Sequence, residues 1–213
     1  VYASNITGLI LRHPDTLITQ KEVNTLLNNM QPNTTAPITG ISAKELWKAY
    51  NVTGLLSSGI SGSGYTIGIL DWYGDPYITQ VLQVYDREFG FPNPPNFTVV
   101  PIGPYDPNLG VLTGWDGEIS GDVELSHSMA PGANITLFIG NGALPVSAVI
   151  AFIDQERVQT VSQSWSIFEW YYSVLGPNNY ILNLQLADEY YALGALKGIT
   201  FIASTGDAGG SGY

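Results

Sequence analysis

The sequence predicts an α/β domain, a parallel β-sheet with helices on both faces. Helical and strand patterns alternate along most of the chain. The strand candidates are near-continuous apolar runs, as expected of strands buried on both sides. Hydrophobic residues make up 45% of the 213, enough for a substantial core. No apolar run reaches the roughly 18 residues of a membrane span.

Residues 1–38 stand apart from the rest. Leu17 to Met30 reads as a short amphipathic helix carrying Val23, Leu26, Leu27 and Met30. Gln31-Pro32-Asn33-Thr34-Thr35-Ala36-Pro37 follows as a linker by composition. Residues 39–213 then read as part of one domain. Ala43 to Tyr50 is a helix with Ser42 as its N-cap. Gly59-Ile60-Ser61-Gly62-Ser63-Gly64 looks like a dinucleotide loop, but it precedes a strand instead of following one, so the phosphate reading fails on context. Tyr65–Asp71 is a strand, Tyr77–Phe89 a helix and Phe97–Ile102 a strand. Gly117–Gly132 is a helix stopped by Pro131-Gly132. Strands at Asn134–Ile139, Val158–Trp165 and Ile199–Ser204 alternate with helices at Val146–Asp154 and Asn179–Lys197. Chemistry in such sheets gathers at the carboxyl ends of the strands.

The helix at Gly117–Gly132 holds the strongest chemical signal. Glu118 and Asp122 are four residues apart, which places both carboxylates on one helix face. Two such groups repel when both are ionised, so one should hold its proton above the usual carboxylate range. That suits general acid–base work at acid pH. Gly121, a poor helix former beside Asp122, suggests a close approach. Glu124 falls on another face and reads as solvent-facing. His127 lies about five residues past Asp122 and reads as a surface or capping residue.

Composition bounds the function. The formal net charge is −11, with only seven Lys and Arg. That argues against nucleic acid, which needs a basic surface. At about pH 3 most carboxylates would be neutral, and a chain poor in bases avoids cationic self-repulsion there. Cysteine is absent and there are two His, which excludes disulfides, thiol chemistry and a His-rich metal site. N-x-T sequons begin at Asn5, Asn33, Asn51, Asn96 and Asn134, as in an exported glycoprotein.

D-G-E-x-x-x-D-x-E from Asp116 to Glu124, running into A-P-G-A-x-I at Ala130 to Ile135, resembles the catalytic helix of the sedolisins. These serine-carboxyl peptidases are acid-acting endopeptidases and tripeptidyl peptidases on a subtilisin-like fold. The resemblance implies that Glu118 is the general base and Asp122 its carboxylate partner. Asp71, ending the strand G-I-L-D, resembles a supporting acid of the same network. Trp165, in S-W, would sit at the substrate cleft, with Ser164 and Ser166 meeting a peptide backbone. Asp207, in S-T-G-D-A-G-G, matches the oxyanion-hole acid. A carboxylate there would repel an oxyanion, so Asp207 must be protonated to donate a hydrogen bond.

The family's nucleophile lies in G-T-S-x-x-x-P, and that motif does not occur in the sequence. The resemblance therefore implies an incomplete subtilisin-like sheet. This chain would be inactive alone, and its serine would come from a C-terminal remainder. Calcium is expected in that remainder, with no metal site in this chain. Residues 1–38 resemble the tail of a zymogen propeptide, with processing near Thr35-Ala36. The implied partner is a peptide or protein substrate and the implied location is extracellular. Two other readings stay open, a Ser-His-Asp subtilase fragment using Asp71 and His127, and a non-catalytic α/β binding module.

Overall fold

The computed structural model describes residues 41–102, 105–140, 158–165 and 177–206. The helices expected at Leu17–Met30 and Val146–Asp154, and the whole segment 1–38, lie outside those residues.

Helix α1 (Ala43–Ala49) begins at a reciprocal cap. The Glu45 N–H donates to the Ser42 hydroxyl at 3.3 Å, and the Ser42 N–H donates to the Glu45 carboxylate at 2.7 Å. A short α2 (Thr53–Ser57) leads into the glycine-rich loop. There the Gly132 N–H donates to the Ser61 carbonyl at 2.8 Å, so this loop clips the turn after the long central helix. Strand β1 (Thr66–Trp72) follows, then α3 (Ile78–Phe89) and β2 (Phe97–Pro101). Helix α3 ends at Gly90, whose left-handed φ of 73° lets its N–H reach the Asp86 carbonyl.

Helix α4 (Asn108–Thr113) has no counterpart in the sequence reading. It lacks a side-chain cap, and it docks because Gly110 brings its backbone against that of Gly74. Helix α5 (Trp115–Met129) then starts two residues before the expected Gly117. The rest is β3 (Asn134–Gly140), β4 (Thr160–Gln163), α6 (Pro177–Leu196) and β5 (Thr200–Ala203).

The five strands form one all-parallel sheet in the order β2-β3-β1-β4-β5. Its faces carry separate apolar clusters. Ile69, Ile135, Leu137 and Ile139 pack with Ile78 and Leu82 of α3 and Ile119 and Val123 of α5. Leu70, Phe138, Val158, Val161 and Ile199 form the other cluster, with Tyr190 and Tyr191 of α6 against it. Ile69 and Leu70 are neighbours in sequence on opposite faces, which is why β1 reads as a continuous apolar run. Strand β1 is central, with β3 on one side and β4 on the other. The chain thus crosses over β1 between β3 and β4, and the crevice at the β1 carboxyl end is a topological switch point.

Candidate active site

Strand register determines what meets at that crevice. β1 and β4 pair from Ile67↔Thr160 to Leu70↔Gln163. One step further brings Asp71 beside Ser164 and Trp72 beside Trp165. Asp71 shares the orientation of Ile69, toward α5. Ser162 is the register partner of Ile69, so Ser164, two residues on, also points that way. Trp72 and Trp165 take the opposite face, where their rings meet edge to face at 5.4 Å. Trp165 packs on the cluster under α6, and its indole N–H is buried without a hydrogen-bond partner among the described residues. Gly140, opposite Trp72 on β3, leaves room for the Trp72 ring, which a Cβ there would overlap.

The structure brings Asp71, Asp122 and Glu118 near one another. Asp71 is fully buried and neither of its carboxyl oxygens has a partner among the described residues. Burial, then the charges of Asp122 and Glu118, hold its pKa well above the carboxylate range. Asp122 is half-buried, and burial raises its pKa too, opposed by a hydrogen bond from the Ser164 hydroxyl. Glu118, one helical turn before it, is exposed. The three groups form a gradient from solvent inward, Glu118 to Asp122 to Asp71. An exposed carboxylate backed by buried ones with raised pKa values can take a proton from a reacting group while the pair behind it adjusts charge.

Sequence reasoning missed a second pair of acids beside this one. Asp75, just past β1, accepts the Tyr77 N–H at 2.7 Å. Burial nevertheless pushes its pKa up to about 7, with the charge of Asp116 adding to the effect. Asp116 is itself buried, and burial raises its pKa. The intervening turn is strained, since Tyr73 has a φ of 63°, uncommon for a residue with a side chain. Tyr73 meets Trp115 edge to face at 6.4 Å, and the Tyr105 ring lies over Gly74. The signal available in sequence was the pair of short motifs Y-G-D and W-D-G, each too common to stand alone.

Three readings of the helix α5 are corrected. Glu124 is buried, not solvent-facing, and burial, with the charge of Asp86, pushes its pKa up to about 7. His127 is fully buried, not on the surface. Its Nε2 lies 2.8 Å from the Pro92 carbonyl, an acceptor that places the proton on Nε2, and 3.1 Å from Asp86 Oδ1, which makes no hydrogen bond among the described residues. Burial lowers the His127 pKa and raises that of Asp86 to about 7. The physical reason is that α5 is enclosed by the sheet, α3 and α1, whereas one-sided amphipathicity was assumed. Trp47 of α1 closes this side by donating its indole N–H to the Ser128 carbonyl at 2.8 Å. Gly121 shows no close approach, since a Cβ there would meet open space.

His127 and Asp71 are not brought together, because the partners of His127 are Asp86 and the Pro92 carbonyl. Asp207 and Ser166 lie outside the described residues. Among the described residues no group of three or more His, Asp or Glu is disposed to hold a metal ion.

No protein-family model and no curated protein matches the sequence. Among solved structures the chain is similar to Pseudomonas sedolisin (serine-carboxyl proteinase), complexed with two molecules of pseudo-iodotyrostatin. The identity is 21% and the TM-score 0.63, over 80% of this chain and 45% of that one. The likeness is one of fold, an α/β architecture on a parallel sheet like that of the subtilisin-like sedolisin. This chain spans less than half the length of the solved one.

Proposed function

We propose that the chain supplies the Glu–Asp part of an acid-acting serine-carboxyl peptidase. The observation that carries this reading is the Glu118–Asp122–Asp71 gradient at the carboxyl end of β1, on a fold similar to that of a serine-carboxyl proteinase. The reaction is acyl transfer from a peptide bond to a serine outside these 213 residues. Glu118, partnered by Asp122, takes the serine proton and returns it to the leaving amine. Asp207, protonated, donates to the oxyanion. Trp165 lines the cleft beside Trp72, and Ser166 meets the peptide backbone. Water then takes the place of the amine and releases the acyl group.

The remainder that carries the serine would extend the sheet beyond β5. That strand is the last in the order β2-β3-β1-β4-β5 and leaves Ile202 54% exposed. Calcium belongs, on this reading, to that remainder, and no step here depends on it. No helix among the described residues is long and apolar enough to cross a membrane. Export as a glycosylated zymogen, with residues 1–38 as propeptide tail, fits two of the three described sequons. Asn51 and Asn96 are exposed. Asn134 is half-buried at the start of β3, its amide donating to Thr66 Oγ1 at 3.4 Å, and suits a glycan poorly.

The test is Glu118→Gln in the full-length protein, assayed on a peptide library at about pH 4. Loss of at least a thousandfold in kcat/KM, with fold retained, is expected from removal of a general base within a triad. Retained activity would overturn the assignment. The 213-residue chain by itself is expected to show no hydrolysis at any pH.

A further inference from the structure

Among the described residues the sheet has two outer edges, β5 on one side and β2 on the other. On the reading above, the remainder of the protein takes the β5 edge. Nothing described pairs with the outer side of β2. A free edge presents unpaired backbone groups to any other strand, and proteins blunt it with charges, prolines or a cover. Charge is missing here, since no Asp, Glu, Lys or Arg falls between Glu88 and Asp106. Prolines stand only before the strand, up to Pro95, and at its last residue, Pro101. Between them Phe97-Thr98-Val99-Val100 is an uncharged run of strong strand formers, a composition that invites pairing with another chain.

A cover is at hand in the sequon Asn96-Phe97-Thr98. The Asn96 carbonyl accepts the Ile135 N–H at 2.9 Å, which fixes this residue against β3, and both Asn96 and Thr98 are exposed. Asn96 Nδ2 donates to Thr98 Oγ1 at 3.1 Å, so the two side chains share one face. An amide nitrogen that carries a sugar keeps one hydrogen, and that bond needs only one. A second sequon, Asn134-Ile135-Thr136, lies directly alongside. Thr98 is the register partner of Thr136, and one step before the pair Phe97↔Ile135 sets Asn96 beside Asn134. Neighbouring strands stand about 4.8 Å apart, too close for an oligosaccharide on each of two facing residues. Asn134 is the inner of the two. It is half-buried between Asn96 and its register partner Thr66, to whose Oγ1 its amide donates at 3.4 Å.

We propose that the paired sequons take a single N-linked glycan, on Asn96, and that this glycan shields the free edge of β2 from strand addition by another chain. The proposal goes beyond the peptidase reading and rests only on its export through a glycosylating route. The co-reactant is an oligosaccharide carried on a lipid phosphate. The bond from its anomeric carbon to the phosphate oxygen breaks, and a bond from that carbon to Asn96 Nδ2 forms. The lipid phosphate leaves as the anion, and one Nδ2 proton passes to solvent. A bulky, hydrated group at the first end of β2 then stands where an incoming strand would have to begin its pairing.

The test uses the full-length protein secreted from a host that performs N-glycosylation. Peptide mapping by mass spectrometry should find a glycan on Asn96 and on the exposed Asn51, which serves as the control, and none on Asn134. Association is read by light scattering at one fixed concentration. Asn96→Gln and Thr98→Ala each destroy the sequon, and each should at least double the apparent mass. Thr98→Ser keeps the sequon and should follow wild type. Asn51→Gln removes a glycan elsewhere and should also follow wild type. A glycan on Asn134, or a bare Asn96 beside an occupied Asn51, overturns the proposal and leaves export standing. A protein with no glycan on any sequon overturns both. An unchanged mass in Asn96→Gln and Thr98→Ala overturns the shielding role. Should those variants not be secreted, an endoglycosidase can trim the Asn96 glycan of folded Asn51→Gln protein back to its first sugar. The apparent mass should then rise in the same way, and an unchanged mass again overturns the role.

Discussion

Replacing Glu124 with glutamine removes a carboxyl group that folding buries near Asp86, and its effect on stability should depend on pH. The folded value is about 7 against an ordinary 4.5. A carboxyl whose pKa is raised by folding holds its proton more tightly in the folded state. Its contribution is intact below about pH 4.5 and is lost as pH rises toward about 7, after which the loss is constant. Each pH unit across that interval is worth about 1.4 kcal/mol, so the accumulated loss at pH 8 is about 3 kcal/mol. Glutamine does not titrate. Glu124→Gln should therefore be more stable than wild type by about 3 kcal/mol at pH 8, and close to wild type at pH 4. Asp86, pushed up to about 7 by burial, works in the same sense. His127 works in the opposite sense, since burial lowers it from 6.5, so its contribution is present above that value and lost as pH falls. Urea unfolding at pH 4 and pH 8, followed by tryptophan fluorescence, reads the difference from the two midpoints and slopes. A stability difference that is the same at both pH values would refute the reasoning, as would a variant less stable than wild type at pH 8.

Two further substitutions test how the site is framed. Trp47→Phe keeps an aromatic ring near Phe91 but loses the 2.8 Å hydrogen bond to the Ser128 carbonyl, and should lower stability by about 1 kcal/mol in thermal or urea melts. Gly140→Ala puts a methyl group into the Trp72 ring and should cost about 1–3 kcal/mol. It should also weaken the near-ultraviolet circular dichroism of the Trp72–Trp165 pair, and an unchanged spectrum would show that the rings need no such clearance.

Where local pattern and tertiary structure agreed, the sequence was legible. Ser42 three residues before Glu45 specifies a helix start, and the reciprocal cap is there. The apolar run N-I-T-L-F-I-G specifies a strand buried on both sides, and β3 is one. The i,i+4 spacing put Glu118 and Asp122 on one helix face, whereas the nearness of Asp71 to them was implied only by the resemblance to the sedolisin helix. Glu124 and His127 were misjudged because burial of a polar residue depends on what packs against its helix. Nothing near position 124 announces that Asp86, from another helix, will face it. Helix α4 was missed for a related reason, since its place depends on the contact of Gly110 with Gly74 and not on its own pattern.

The central place of β1 has a consequence for the order in which the site comes into being. One edge of β1 is closed by β3 and the other by β4, in a contact that joins Thr66 to Gln159, 93 residues apart in sequence. Contacts of such separation form late, because the loop between them must be closed first. Until then Asp71 has water on one side and no Ser164 nearby. It should titrate as an ordinary carboxylate, and its charge should be tolerated. The rise in the Asp71 pKa that burial brings therefore comes near the end of folding, when β4 seals the corner. Acid would then speed that last docking step and alkali retard it, so the pH that favours the native state also favours the route by which it is reached.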